Sequence, residues 1–196
     1  MSNTRAKLIE AAARLLDTGG PDTVTLRAVS LACGVSHNAP YKHFASKEDL
    51  LAAIASRELM RRAATQAGQR GQKDPRLKLR TRMHTYVQWA RVHPERFKLV
   101  FRAWSKASDE LIEAAAAARR ALIVEVADAM QVGQIVKGDP ERVAFLILAL
   151  AHGAADLSLG GHLSAKGKGK ADPEDLVDDL FSILRPSPSV KGNKHL

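Results

Sequence analysis

Cysteine is nearly absent: Cys33 is the only one in 196 residues, which excludes an intrachain disulfide and a thiolate zinc cluster and suits a reducing compartment. Aromatic residues make up 5% of the chain. Base stacking therefore has little material beyond Tyr41 and Phe44, and duplex DNA is favoured over single strands as a partner. No uninterrupted apolar run reaches the ~18 residues of a spanning helix, and the opening MSNTRAKLIE has no signal-peptide core. A cytoplasmic protein with no membrane partner is expected. Also missing are a Gly-x-Ser-x-Gly elbow, a His-Glu-x-x-His pair and a glycine-rich phosphate loop in a strand context. Gly167-Lys168-Gly169-Lys170 reads as a flexible charged loop. These absences argue against an enzyme, and no cofactor or metal site is expected. Acidic residues are outnumbered, 21 Asp and Glu against 30 Lys and Arg, a formal net charge of +9 that favours a polyanionic partner.

The chain is organised around Thr23–Lys47, which reads as two short helices joined by a tight turn. Thr25 is an N-cap candidate, with Leu26, Val29, Leu31 and Ala32 able to supply one buried face. Gly34 ends that helix, Val35 plugs the corner, and Ser36 caps a second helix at once. This is the helix-turn-helix signature. On the second helix His37, Asn38, Tyr41, Lys42 and His43 form a face that suits a DNA groove.

An amphipathic helix from Thr4 to Leu16 precedes this element, with Leu8, Ile9, Ala12, Leu15 and Leu16 at helical spacing, and Gly19-Gly20-Pro21 stops it. Arg5 and Lys7 are either part of its solvated face or secondary phosphate contacts. Downstream, Phe44 can cap the small core and Ser46 with Asp49 opens a long helix lined by Leu50, Leu51, Ile54, Leu59 and Met60. Lys47 falls in the first turn of that helix, an unfavourable place for a cation unless an anion such as a DNA phosphate is near.

Thr25-Leu26-Arg27, Gly34-Val35-Ser36, Tyr41-Lys42-His43-Phe44 and Ser46-Lys47-Glu48-Asp49-Leu50 resemble, in order and spacing, the DNA-binding domain of the tetracycline-repressor (TetR) family. The resemblance implies an all-α homodimer of about nine helices: a three-helix reader over residues 1–47, and a helical effector-binding and dimerisation domain over 48–185. It makes the helix at 46–66 the connection between them, with a disordered tail at 186–196. Carried over by position, Thr25, Tyr41, His43 and Lys47 contact phosphates, while Arg27, Ser36, His37, Asn38 and Lys42 read bases or nearby backbone. Double-stranded DNA, a second copy of the chain and a small-molecule effector are the implied partners. Inside the reading helix Asn38-Ala39-Pro40 departs from the commoner Gly-Thr-Leu. Pro40 lacks an N–H, a loss that the first turn of a helix tolerates. Ala39 offers a methyl where a threonine hydroxyl is common, and Asn38 can pair with adenine.

The stretch from Arg57 to Arg82 is the most basic of the chain, with a linker at 67–75; Arg61, Arg62, Arg70, Lys73, Arg76, Lys78, Arg80 and Arg82 are either solvated surface or a long-range attraction for phosphates. Helical patterns follow over Leu77–Val92, Pro94–Ser105 and Asp109–Val132. Met83, Tyr86, Trp89, Phe97, Phe101 and Trp104 are either plain core or, with Val126, Met130 and His152, an effector pocket of the kind the resemblance implies. The segment Glu141–Leu159 is strongly apolar, dotted with small residues, and expected to be buried all round. With Pro173–Leu184 it is implied to form a four-helix bundle across a two-fold axis through Leu146, Leu150, Gly153, Leu157, Leu176, Leu180, Phe181 and Leu184. His152-Gly153 further resembles a TetR subgroup named for a Trp-His-Gly motif, with Leu148 near the place of the tryptophan. His152 can pair with Asp156 one turn on, either as a satisfied core histidine or as a polar group of the pocket.

Overall fold

The computed structural model describes residues 4–68, 74–164, 166 and 169–186. Among these residues the protein is helical, with eight α-helices: α1 Thr4–Gly19, α2 Leu26–Cys33, α3 Lys47–Gly68, α4 Pro75–Val92, α5 Pro94–Phe101, α6 Asp109–Gln131, α7 Pro140–Leu159 and α8 Pro173–Ile183. Two 3-10 turns, Pro21–Thr23 and Pro40–Lys42, complete the order. Pro75, Pro94, Pro140 and Pro173 each open a helix. A first-turn N–H has no intrahelical partner to lose, and the fixed φ of proline is already helical. Side-chain caps add to this: Asp139 accepts from Glu141 N at 2.9 Å, and Ser108 from Leu111 N at 3.2 Å.

The helices fall into two compact units, one combining Met1–Arg70 with Gln88–Leu122 and the other Gly71–Val87 with Ile123–Leu196. The expected division at residue 47 follows role; packing divides the chain elsewhere, because α3 and α5 belong to the same core as the reader. In the first unit Leu8, Ile9, Ala12 and Leu16 of α1 meet Val29 of α2 and Leu50, Leu51 and Ile54 of α3, with Phe44 closing one end and Leu99 and Val100 of α5 another. Three expected core positions are exposed, Ala32 of α2 among them. Leu31 is 83% exposed because it lies two residues beyond Val29, on the opposite side of α2, and Met60 on α3 is exposed as well.

This unit carries a buried charge cluster. Arg96 of α5, 6% exposed, reaches Asp17 at the end of α1 with Nε at 2.9 Å and a terminal nitrogen at 2.6 Å, and reaches Glu58 of α3 at 3.1 Å. His93 Nδ1 lies 3.2 Å from Asp17, and Arg57 donates to Glu10 at 2.8 Å. The basic region of the sequence is therefore largely partnered. Arg61 pairs with Glu10 and Glu58, and the Arg62 guanidinium sits 3.5 Å over the Trp89 ring. Arg70 and Lys73 lie outside the described residues, as do 69–73 of the expected linker and 187–196 of the expected tail.

In the second unit the first turns of α4 are pinned to α6 and α8 by polar groups. Arg80 holds Asp178 bidentately at 2.6 and 2.8 Å, His84 Nε2 lies 2.6 Å from the same carboxylate, and Arg76 donates to the Phe181 carbonyl at 2.6 Å. Lys78 and Arg82 both face Glu125, at 3.4 and 3.3 Å. None of these cations is merely a solvated face. Helix α7 is long and apolar enough, by length and composition alone, to cross a membrane. It is not buried all round, contrary to expectation: Val143, Ala144, Ile147, Ala151, Ala154 and Ala155 face the core, whereas Phe145, Leu146 and Leu157 stand open. Packed beside α8 and carrying His152 and Asp156, it reads as a bundle helix with one uncovered side.

Arg96→Met should destabilise the fold by roughly 3–5 kcal/mol, because it removes the cation that buried Glu58 shares with half-buried Asp17. Removing all three charges in Asp17→Asn/Glu58→Gln/Arg96→Met should recover much of that loss. Urea midpoints of the single and triple variants check this.

Candidate nucleic-acid interface and effector region

The reader is built by local hydrogen bonds that the sequence encodes. Thr25 Oγ1 accepts from Ala28 N at 3.0 Å and starts α2. Gly34 takes the left-handed conformation at φ 62°, with Gly34 N bonded to Leu31 O and Val35 N to Ser30 O, a double closure that turns the chain sharply. An added Cβ at Gly34 meets no neighbour, so glycine is required there by backbone strain alone. Ser46 Oγ accepts from Asp49 N at 3.1 Å and starts α3.

Between these caps the expected second α-helix does not form. The segment is a run of tight turns, with Ala39 N bonded to Ser36 O at 2.9 Å, His43 N to Pro40 O at 2.9 Å, and a 3-10 turn over Pro40–Lys42. The cause is local. Pro40 has no N–H to return to Ser36 O, so that carbonyl takes the nearer Ala39 N, and the buried pyrrolidine ring anchors the tighter winding.

The segment leaves Ser36, His37, Asn38, Tyr41, Lys42 and His43 exposed on one continuous stretch, with Arg27 exposed on α2. The His37 and Tyr41 rings meet edge to face at 5.8 Å, which limits where the Tyr41 hydroxyl can point. Thr25 is exposed as well as capping, and Lys47 lies 3.8 Å from Asp22, an exposed acid that partly answers the misplaced cation of the first turn. Arg5 is not available as a secondary phosphate contact of the simplest kind. It pairs with Glu110 at 2.5 Å and stacks on the Phe44 ring at 5.4 Å.

The candidate effector residues divide between the two units. In the first, Trp89 and Phe97 meet edge to face at 6.1 Å, Phe97 and Phe101 lie tilted at 5.6 Å, and Arg102 stacks over Trp104 at 3.7 Å. In the second, Met83, Tyr86, Val126 and Met130 are buried, and the Tyr86 hydroxyl lies 2.9 Å from His152 Nδ1. The same unit holds a buried group that periodicity alone did not single out: Glu125, 2% exposed, in an otherwise apolar stretch of α6. The signal for it in the sequence was an acid flanked by Val124 and Val126 and sharing a helical face with Leu122 and Ala129.

The candidate interface residues divide too. Leu146 and Leu157 are exposed, and Leu150, Gly153, Leu176 and Leu180 are half-buried. Phe181 and Leu184 are spent in the interior of their own chain and leave the candidate interface. Ile183 and Phe145, absent from the expected set, are exposed instead.

A capped helix, a left-handed glycine corner and a short exposed segment, followed by an all-helical second part, define a helix-turn-helix regulator. The family comparisons agree. Residues 8–54 match the model described as bacterial regulatory proteins, tetR family, and residues 79–184 match tetracyclin repressor-like, C-terminal domain. The second match spans more than half of the chain, and the protein belongs to the TetR family, whose members are regulators and not enzymes. Neither description names the Trp-His-Gly subgroup. No curated protein matches the chain. Among solved structures, a Rhodococcus sp. RHA1 protein of unknown function is 28% identical, with 94% of each chain covered and a TM-score of 0.78. A putative TetR-family transcriptional regulator from Rhodococcus sp. is 23% identical over 95% of this chain and 100% of that one, at a TM-score of 0.70. AibR in complex with isovaleryl coenzyme A and operator DNA is 19% identical over 95% and 100%, at 0.64.

Two titrations follow from the second unit. Burial pushes the His152 imidazole below its ordinary value near 6.5, against the opposing pull of Asp156. Burial raises the Asp178 carboxyl, but hydrogen bonds from Arg80 and His84 outweigh it and hold the group below its usual value near 3.8. Both folded values are depressed. Each contribution is therefore present above the unfolded value and lost as pH falls through the folded one, the histidine's below about 6.5 and the aspartate's only in stronger acid. Between about pH 7 and pH 5 the melting temperature of the wild type should fall more than that of His152→Gln. Equal slopes would remove His152 as the cause.

Proposed function

We propose that the protein is a homodimeric repressor of a palindromic operator, released by a small, largely apolar effector. The observation that carries the reading is the exposed row of Arg27, Ser36, His37, Asn38, Tyr41, Lys42 and His43, held between two side-chain-capped helices and bordered by Thr25 and Lys47. Phosphates are positioned by Thr25, Tyr41, His43 and Lys47, and base edges are read by the residues between them. Dimerisation is supported by the uncovered stripe of α7, where Phe145, Leu146 and Leu157 alternate with Ala149 and Gly153, and by exposed Ile183 on α8. Small residues along such a stripe let a second copy of the helix approach closely. Two readers on a two-fold axis would meet successive major grooves ~34–36 Å apart. Effector release requires the ligand to bind the DNA-free arrangement of the dimer more tightly than the DNA-bound one. That AibR is seen with both isovaleryl coenzyme A and operator DNA supports pairing an effector with an operator in this fold. A cytoplasmic location goes with that role.

One observation favours a second reading. The 3-10 winding around buried Pro40 shortens the reading element, which suits a ligand-binding or protein-interaction module that has lost sequence-specific reading. In-vitro selection of duplexes separates the two. The repressor reading expects palindromic enrichment, with Arg27→Ala weakening the selected site by about 1–3 kcal/mol and Tyr41→Phe by roughly threefold to tenfold. Phosphate-contact variants should also flatten the dependence on salt. Absence of a palindrome, together with unchanged binding and salt slope in both variants, leaves only the second reading.

A further inference from the structure

Helix α7 carries two features for which its own chain gives no reason. The first is a symmetry of charge along its open side, where Arg142, Phe145, Ala149 and Asp156 are exposed and Gly153 is half-buried. Arg142, Ala149 and Asp156 stand at seven-residue intervals, so they drift by only ~20° per interval and keep to one line along the helix. The apolar row therefore ends in a cation on one side and an anion on the other. Glu141, in the first turn, is rotated by about 100° from that line. Among the described residues neither Arg142 nor Asp156 is held by an ion pair within the chain.

The second feature is Gly153. Glycine inside a helix is destabilising relative to alanine, and here the backbone is ordinary helix without a positive φ. A methyl group added at Gly153 would meet nothing within 4 Å, so no close packing among the described residues calls for its absence. The space over it is open.

One arrangement answers both. We infer that two copies of α7 pack antiparallel and cross at Ala149, in a register that sets Arg142 of each subunit against the partner's Asp156 and Phe145 over the partner's Gly153. The inference rests on the dimer reading above and adds the contacts that choose the partner. Arg142 and Asp156 lie seven residues to either side of Ala149, and Phe145 and Gly153 lie four to either side, so a two-fold axis at Ala149 makes both pairings at once, each of them twice. The phenyl ring fills the space left by the missing side chain. The small Ala149 lets the helix axes approach to the ~8–10 Å of close packing. At the ~20° crossing of a helix bundle the charged ends, ~10 Å from the axis, diverge by about 4 Å, which an arginine side chain spans.

Other pairings leave these residues unanswered or opposed. A parallel pair sets Arg142 on Arg142 and Asp156 on Asp156. Sliding the antiparallel pair until Ala149 faces Gly153 puts Asp156 against Leu146 and Arg142 against Gly160, and no charge is matched. The two ends thus act as a self-recognition code, which a related helix without opposed charges at these places fails to satisfy.

The test measures dimer dissociation constants of the full-length protein by sedimentation velocity with labelled subunits. Arg142→Glu and Asp156→Arg should each weaken the homodimer by roughly 10- to 100-fold, because two attractions become two repulsions. An equimolar mixture of the two variants should dimerise close to wild-type affinity, since every opposed pair then has unlike signs, and so should the double variant Arg142→Glu/Asp156→Arg. Gly153→Leu should keep its helix content by circular dichroism, weaken the dimer by at least about tenfold, and regain part of that loss when Phe145→Ala is added. In a Cys33→Ser background, Ala149→Cys should close a disulfide between subunits under mild oxidation, whereas Gly153→Cys, displaced from the axis in both copies, should not. The cross-links decide the register even where a charge variant does not fold. Unchanged affinity in both charge variants, no recovery in their mixture, or a cross-link at Gly153→Cys and none at Ala149→Cys overturns the register and leaves the dimer standing. A wild-type protein that stays monomeric at tens of micromolar overturns the dimer reading and the register with it.

Discussion

The buried guanidinium of Arg96 is the constraint on which the first unit depends. It is the point where α1, α3 and α5 meet in charge as well as in packing, with Asp17 and Glu58 each taking part of its donor fork. A buried cation of this kind contributes little net stability over an apolar side chain of the same volume, since desolvation offsets most of the attraction. Its effect is on arrangement: three helices must keep a common register, or one charge is left unpaired. The α1 end that it grips leads directly through Gly20 and the Pro21–Thr23 turn into α2, so the N-terminal helices are held at their root by a residue remote in sequence from the exposed Ser36–His43 stretch.

Within the reader the balance of forces is different. The caps at Thr25 and Ser46 and the corner at Gly34 are short-range devices, each satisfied by groups within a few residues. They fix where the exposed segment begins and ends. At its start one donor is missing, that of Pro40, and Ser36 O takes Ala39 N in a tighter turn; further on, the His37 and Tyr41 rings meet edge to face. The same polar residues are present as in an ordinary reading helix, but their angular spacing is altered. Specificity is the property that such a change affects most, because base readout depends on angle while phosphate contact tolerates more.

The second unit uses charge in another way. Arg76, Arg80 and His84 of α4 reach α8 directly, while Lys78 and Arg82 turn to α6. One helix thus addresses two neighbours through alternate positions of its sequence, and only Glu125 in this arrangement keeps an unanswered oxygen. The uncovered side of α7 and exposed Ile183 set the outer limit of this unit and carry the support for a second subunit.

Much of the fold was legible in the residues alone, for a physical reason. Caps, glycine corners, first-turn prolines and helical periodicity act over three to five residues, so Thr25, Gly34, Ser46, Pro94 and Pro173 mark the element boundaries wherever the elements later pack. Family spacing marked out the stretch from Ser36 to His43, most of which the structure leaves exposed, in the same local way. Partner choice was not legible, because it is made between residues remote in sequence: Arg96 with Asp17 is 79 positions apart, and Arg80 with Asp178 is 98. A basic stretch that reads equally as solvated surface or as a lure for phosphate becomes, once folded, a set of ion pairs. Likewise an apolar helix can show its periodicity but not which side will be covered, so the sequence by itself determined the class of protein and the α-helices apart from the one expected after Ser36, which the structure replaces with tight turns. Only the tertiary structure decided that Phe181 and Leu184 turn inward, that Leu146 and Leu157 stay open, and that Glu125 is buried with one oxygen free, because burial is a property of what the rest of the chain brings alongside.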